Sequence, residues 1–255
     1  MVLINVDFMS EVLGHAASMK VLLPMETPSG ESCRTLLLLH GLSDDHTVWQ
    51  RMTAIERYAS GRSIAIIMPN AERSYYTNMK TGERFADHIY IEVPAVARRL
   101  FRQLTDRRED NFIAGLSMGG YGAAKGALLF PEKFRAAACF SAHADFVTTF
   151  KKVKDDPMFT NIFGPTDEFE GTENDIRVMI RKTAKSGAPL PDFYVSCGTA
   201  DSLLTHSRNV RDLLTAEGYK VEYSETDGAA HNWSFWDAEI EKALNFFDKL
   251  TEEKL

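Results

Sequence analysis

The segment Gly115-Leu116-Ser117-Met118-Gly119-Gly120 has the form G-x-S-x-G. It stands between an apolar run, NFIAG, and a run of small residues, YGAAKGALLF. A serine hydroxyl is a weak nucleophile until a neighbouring base takes its proton and the backbone presents its oxygen to the substrate. A sharp strand-to-helix turn does the presenting. Small residues two before and two after the serine let strand and helix close around it, and the first helical N–H groups face the charge that develops there. A glycine-rich turn arises by chance, but the motif set between a strand and a helix is far more specific. The chemistry it predicts is acyl transfer through Ser117.

Seven histidines could supply the base: His15, His40, His46, His88, His143, His206 and His231. Hydrolases with this turn run serine, acid, histidine along the chain, which leaves the last three. His206 lies in a predicted helix and reads as a surface residue. His231 follows the last predicted strand, in the loop TDGAAHNW, at the end of the sheet where a catalytic loop belongs. His143 also follows a strand and is the alternative. To orient the imidazole, Asp201 in the turn GTAD comes from a separate strand end, with one helix and one strand between it and His231. Asp145 is its alternative, while Asp227 shares the loop of His231; each could also be a capping or turn aspartate. The tetrahedral oxyanion needs amide donors. The expected pair is Leu42, after the strand TLLLL and Gly41, and Met118, directly after the serine. His40 reads as a scaffold of that loop. Tyr75 and Tyr76 line a substrate pocket or pack as an aromatic pair, with Tyr76 taken as substrate-binding. Trp233 and Trp236 wall the site or pack a helix on the core, with Trp233 taken as the wall.

These groups are far apart in sequence, so a sheet must gather them. Short apolar runs alternate with amphipathic stretches. Strands are expected at Val2–Phe8, Ala16–Leu23, Thr35–Leu39, Ser63–Met68, Asn111–Leu116, Phe134–Phe140, Phe193–Cys197 and Val221–Glu225. Helices are expected at Val48–Ala59, Glu92–Leu104 (beginning near Pro94), Met118–Phe130, Leu203–Glu217 (stopping at Gly218) and Ile240–Leu250. Pro24–Gly30 reads as a loop. Such alternation implies an α/β fold. It would have a mostly parallel sheet of about eight strands, the first two an antiparallel pair, with helices on both faces. The polar stretch 144–190 breaks the rhythm and reads as an inserted, lid-like segment.

The chain has 255 residues, 44% of them hydrophobic and 25% charged, which suits one globular domain over 1–255. A net charge of −7 excludes an electrostatic nucleic-acid binder. No apolar run is long enough to span a bilayer, so no membrane insertion is expected. Three cysteines imply no disulfide framework, and no basic residue precedes Lys20, so a cytoplasmic protein without a signal peptide is expected. Asp44-Asp45-His46 lacks further residues at ligand spacing, and neither a G-x-G-x-x-G nor a phosphate-loop motif is present; no metal and no cofactor are expected. The Arg98–Arg108 run reads as a solvated face. The expected partner is a small-molecule acyl ester, with self-association left open.

Five segments, LLLLHGLSDDHTVW, IIMPNAERSYYTN, FIAGLSMGGYGAAKGAL, SCGTADSLL and GAAHNWSFWD, together resemble the α/β-hydrolase serine esterases of the esterase D group, most of all the bacterial tributyrin esterases. The resemblance covers nearly the whole chain. It implies hydrolysis of short-chain acyl esters, with Ser117 as nucleophile, His231 as base and then acid, Asp201 as its orienting partner, and the Leu42 and Met118 amides as oxyanion donors. S-formylglutathione hydrolases share the serine motif but usually carry a cysteine soon after the oxyanion strand end. Here Gly41-Leu42-Ser43-Asp44-Asp45 has none, so thioester hydrolysis is the alternative. The more distant mycolyltransferases are secreted. A catalytically silent binding module on the same fold is the third reading, against which all three triad positions are filled.

Overall fold

In a run such as TLLLL every position is apolar, and a strand points successive residues to opposite faces, so both faces must be covered. The computed structural model describes residues 1–25 and 32–252; most of the Pro24–Gly30 loop expectation lies outside them. Its strands are β1 (Val2–Met9), β2 (Ala16–Leu23), β3 (Arg34–Leu39), β4 (Ile64–Pro69), β5 (Asn111–Leu116), β6 (Ala136–Phe140), β7 (Asp192–Gly198) and β8 (Val221–Thr226). They form one eight-stranded sheet in the order β1-β2-β4-β3-β5-β6-β7-β8. β1 and β2 pair antiparallel, as do β2 and β4, and every later pairing is parallel.

The helices are α1 (Val48–Met52), α2 (Ile55–Ala59), α3 (Phe85–Asp87), α4 (Val93–Leu100), α5 (Met118–Leu129), α6 (Phe146–Phe150), α7 (Pro157–Phe163), α8 (Ile176–Ala184), α9 (Leu204–Ala216) and α10 (Trp233–Glu252). Alternation sorts the core into two layers. Leu37, Leu39, Ala65 and Ile67 pack with α4, α5, α8 and α9 on one face. Leu36, Leu38, Ile64, Ile66 and Met68 pack with α1, α2 and α10 on the other. Each fully buried leucine or isoleucine contributes roughly 1.5–3 kcal/mol relative to exposure.

Four expectations need correction. Val48–Ala59 is two helices, because Thr53 is extended and its hydroxyl takes up the Trp49 carbonyl. The helix expected to begin near Pro94 starts at Phe85 and runs through a π-turn at His88–Glu92. A proline lacks the N–H and crowds the carbonyl four residues back, and the wider π-turn accommodates both defects. The final helix begins at Trp233, two turns earlier than its apolar periodicity implied, because Trp233 and Trp236 are on it. The 144–190 insertion is polar on its surface only. Phe146, Phe150, Phe159 and Phe169 are buried in the same core layer as α5, so this segment packs as part of the body of the molecule. Tyr121 Oη donates to the Asn174 carbonyl at 2.8 Å, pinning the insertion to α5.

β3 and β5 are neighbours, while β4 lies on the far side of β3. The winding direction therefore reverses between β3 and β5, and the loops after these strands diverge around a crevice, the place where open α/β sheets bind ligands.

Candidate active site

Ser117 follows β5 and caps α5, with φ 54° and ψ −114°. That positive φ is strained for a serine and lifts Oγ off the sheet edge. The turn is held from both sides: the Ser117 amide donates to the Phe140 carbonyl at 2.9 Å, and the His143 amide donates to the Ser117 carbonyl at 3.0 Å. The flanking glycines are required by contact. A Cβ on Gly115 would lie 2.3 Å from the Gly119 carbonyl oxygen, and one on Gly119 would lie 2.5 Å from that of Leu39.

Ser117 Oγ lies 3.1 Å from His231 Nε2, and His231 Nδ1 lies 2.8 Å from Asp201 Oδ2. With a carboxylate facing Nδ1, that nitrogen carries the proton and Nε2 is free to accept from the serine. Asp201 follows β7, and its side chain is fully buried. Its other oxygen accepts the Leu203 amide at 2.8 Å. Burial alone would raise its pKa; the hydrogen bonds from His231, the Leu203 amide and Ser141 outweigh it and hold the carboxyl below its ordinary range. The loop that carries His231 is pinned to the loop after β7, where the Ala200 amide donates to the Ala229 carbonyl at 2.9 Å. A hydroxyl, an imidazole and a buried carboxylate in this order are arranged for general-base-assisted attack on a carbonyl.

The rival residues are occupied elsewhere. His143 accepts from Tyr75 Oη at 2.7 Å and donates to Thr149 Oγ1 at 2.9 Å, and burial pushes its pKa down to about 3. Asp145 caps α6 through the Thr148 amide and takes Asn209 Nδ2. Asp227 accepts from Thr199 Oγ1, in the loop after β7. His206, expected on the surface, is 8% exposed and accepts the Asp145 amide, because its face of α9 turns towards the insertion.

Met118 directly follows Ser117, and Leu42 follows β3, the sheet neighbour of β5. Met118 opens α5, so its N–H has no intrahelical acceptor. The Gly41–Leu42 peptide is oriented from its other end: the Gly41 carbonyl accepts His40 Nδ1–H at 2.7 Å and the Asp44 amide at 3.2 Å. His40 Nε2 accepts the Ala71 amide at 2.9 Å, which fixes the tautomer, and burial lowers its pKa to about 4. His40 thus holds the loop, as its position before Gly41 implied.

Tyr76 departs from its expected role. It is fully buried, its ring lies against Gly122, and its hydroxyl donates to the His40 carbonyl at 2.8 Å, so it faces the underside of the loop rather than an open cleft. Trp233 is half-buried and stands edge-on to Trp49 and Trp236, 5.2 Å from each. Trp236 in turn meets the His231 ring edge-on at 4.8 Å. Sequence reasoning missed Ser141. It is fully buried with φ 46°, receives Trp236 Nε1–H at 3.2 Å and hydrogen-bonds the Asp201 carboxyl. A lone serine after a strand carries no spacing signal that could have marked it. Among the described residues no cluster of three or more His, Cys, Asp and Glu is placed to hold a metal ion, and no helix is long and apolar enough to cross a membrane.

The Esterase family model matches residues 10–247. An acetyl esterase of Caldicellulosiruptor saccharolyticus is 26% identical over 271 residues, covering 99% of this chain and 100% of that protein. A fluorophosphonate-binding serine hydrolase of Staphylococcus aureus, solved with substrate bound, is 32% identical with a TM-score of 0.89, over 96% of this chain and 98% of its own. An S-formylglutathione hydrolase of the same organism, solved as apoenzyme, is also 32% identical, with a TM-score of 0.87 over 96% of this chain and 98% of its own. The chain belongs to the Esterase family and is a serine esterase, a carboxylic ester hydrolase built on the α/β-hydrolase fold.

Proposed function

We propose that this esterase hydrolyses short-chain acyl esters through a Ser117–His231–Asp201 triad, as one domain acting in the cytoplasm, with a specificity of the esterase D and tributyrin esterase kind. The observation that carries the reading is the unbroken contact from Ser117 Oγ to His231 Nε2 at 3.1 Å and from His231 Nδ1 to Asp201 Oδ2 at 2.8 Å. Ser117 Oγ attacks the ester carbonyl while His231 Nε2 takes its proton. The Leu42 and Met118 amides receive the oxyanion, and Asp201 stabilises the imidazolium. His231 then returns the proton to the departing alcohol, leaving an acyl-enzyme. Water deprotonated by His231 attacks that ester, and collapse of the second tetrahedral intermediate frees the acid and Ser117.

A preference for short acyl groups suits the aromatic packing next to His143, where Tyr75, Phe146 and Phe159 meet its ring and one another. Trp233 is the wall on the opposite side. Free, buried Cys33, Cys139 and Cys197 suit a reducing compartment. Ser117→Ala should abolish hydrolysis of p-nitrophenyl acetate by several orders of magnitude. Retained activity would refute the assignment. A series of acyl esters, with sugar acetates and S-formylglutathione included, should give the highest kcat/KM between acetyl and butyryl esters. The thioester alternative is favoured by the 32% identity to an S-formylglutathione hydrolase, and a higher kcat/KM for S-formylglutathione would select it.

A further inference from the structure

Two adjacent aromatic residues hold the left-handed conformation, Tyr75 at φ 49° and Tyr76 at φ 53°. Side chains with a Cβ avoid this region, and such pairs persist only where the surroundings over-determine them. Here a set of short bonds does so. Ser74 Oγ donates to the Ala71 carbonyl at 2.6 Å and accepts the Tyr76 amide at 3.1 Å. Thr77 Oγ1 donates to the Tyr75 carbonyl at 2.9 Å and accepts from Lys125 Nζ, on α5, at 2.8 Å.

The two hydroxyls then reach opposite sides of the crevice. Tyr76 Oη donates to the His40 carbonyl at 2.8 Å, in the peptide immediately before the one that carries the Leu42 N–H. Tyr75 Oη donates to His143 Nδ1 at 2.7 Å, and the amide of that same His143 donates to the Ser117 carbonyl at 3.0 Å. The Tyr76 ring also meets Gly122, where a Cβ would come within 2.4 Å, so it is wedged beneath the first turns of α5. One dipeptide therefore touches the supports of both the β3-side amide and the nucleophile turn.

The geometry points to Tyr75 and Tyr76 acting as a single strut that sets the distance between the Leu42 amide and Ser117, which makes both tyrosines positioning residues for ester hydrolysis. The inference rests on the roles proposed above for Ser117 and Leu42. Both hydroxyls are taken up by protein partners. Their effect is on the transition state, because the oxyanion is where the distance between amide and serine matters most. A displacement of about 1 Å in such a site costs up to roughly a hundredfold in rate.

The test compares Tyr76→Phe, Tyr75→Phe and the double variant with wild type and Ser117→Ala. Each single variant should lower kcat for p-nitrophenyl acetate by about tenfold or more with KM within about twofold. Affinity for a trifluoromethyl ketone, which forms the tetrahedral adduct, should fall by a similar factor. The double variant should lose less than the product of the two single losses, since either change already breaks the strut. A kcat within about twofold of wild type in either folded single variant, a loss confined to KM, or multiplicative losses in the double variant would each overturn the inference. If one single variant fails to fold, the other reads the same strut from its opposite end. Hydrolysis retained by Ser117→Ala would defeat the underlying assignment instead, whereas an inactive Ser117→Ala beside a fully active Tyr76→Phe would defeat the strut alone.

Discussion

Asp201 is a carboxylate taken fully out of water yet kept charged, and its partners explain how. Burial opposes the charge; donors from His231, the Leu203 amide and Ser141 more than offset it. Replacing one oxygen by an amide in Asp201→Asn keeps the shape but reverses the tautomer. The new N–H faces His231 Nδ1, the imidazole proton moves to Nε2, and Ser117 loses its acceptor. kcat should fall by roughly four orders of magnitude with KM little changed, and fluorophosphonate labelling of Ser117 should slow in step. Near-normal labelling in a folded Asp201→Asn protein would show that this carboxylate does not set the tautomer. At this scale the sequence was informative for Ser117, Asp201 and His231, since each follows an apolar strand and their order is distinctive. It was silent on Ser141 and misleading on Tyr76, because a tyrosine in a loop looks the same whether its ring faces a cleft or the back of a neighbouring turn.

At the level of elements, α5 illustrates how composition becomes geometry. Gly119, Gly120, Gly122 and Gly126 make the helix thin enough to lie against the ends of β3 and β6 and against the Tyr76 and Tyr90 rings. Glycine inside a helix costs roughly 1 kcal/mol against alanine, so its repetition here reflects close approach. Gly119→Ala would put a methyl 2.5 Å from the Leu39 carbonyl oxygen and 2.6 Å from that of His40, both rigid backbone. The expected destabilisation is about 1–3 kcal/mol, read from the urea midpoint. It should come with a larger loss of kcat than of stability, because the atoms pushed aside carry Leu42. A stable and fully active Gly119→Ala would show that α5 and the β3 loop are not in tight register. The helix starts were less legible than the helices themselves. The π-turn before Pro94 and the early start of α10 depend on packing that periodicity does not encode.

For the whole molecule, acid stability follows from the buried imidazoles. His40 and His143 are neutral in the fold, with burial lowering their values to about 4 and about 3 from 6.5. Between those limits the unfolded chain binds more protons than the folded one. Their contribution to stability is therefore complete above about pH 6.5 and lost as the pH falls, by up to about 1.4 kcal/mol per pH unit for each histidine. Urea midpoints measured from pH 7.5 down to pH 5 should decline, and a flat profile would mean that these rings are not desolvated. Burial also lowers His88 and His206, so the decline has more than two contributors.

Periodicity and punctuation in the sequence determined the α/β class, the eight strands, and the placing of Ser117, Asp201, His231 and the Leu42 loop at the same end of the sheet. Such features are local: a strand's faces, a turn's glycines and the order of segments are all written within a few residues. Only the tertiary structure decided that His143 is locked between Tyr75 and Thr149, that Tyr76 lies under the β3 loop, that Ser141 bridges Asp201 and Trp236, and that the insertion is packed into the core. Each of these depends on the direction of a side chain and on contact between segments tens of residues apart. Sequence spacing carries no term for such contacts, because they follow from how twisted strands and close-packed helices fill one shared volume.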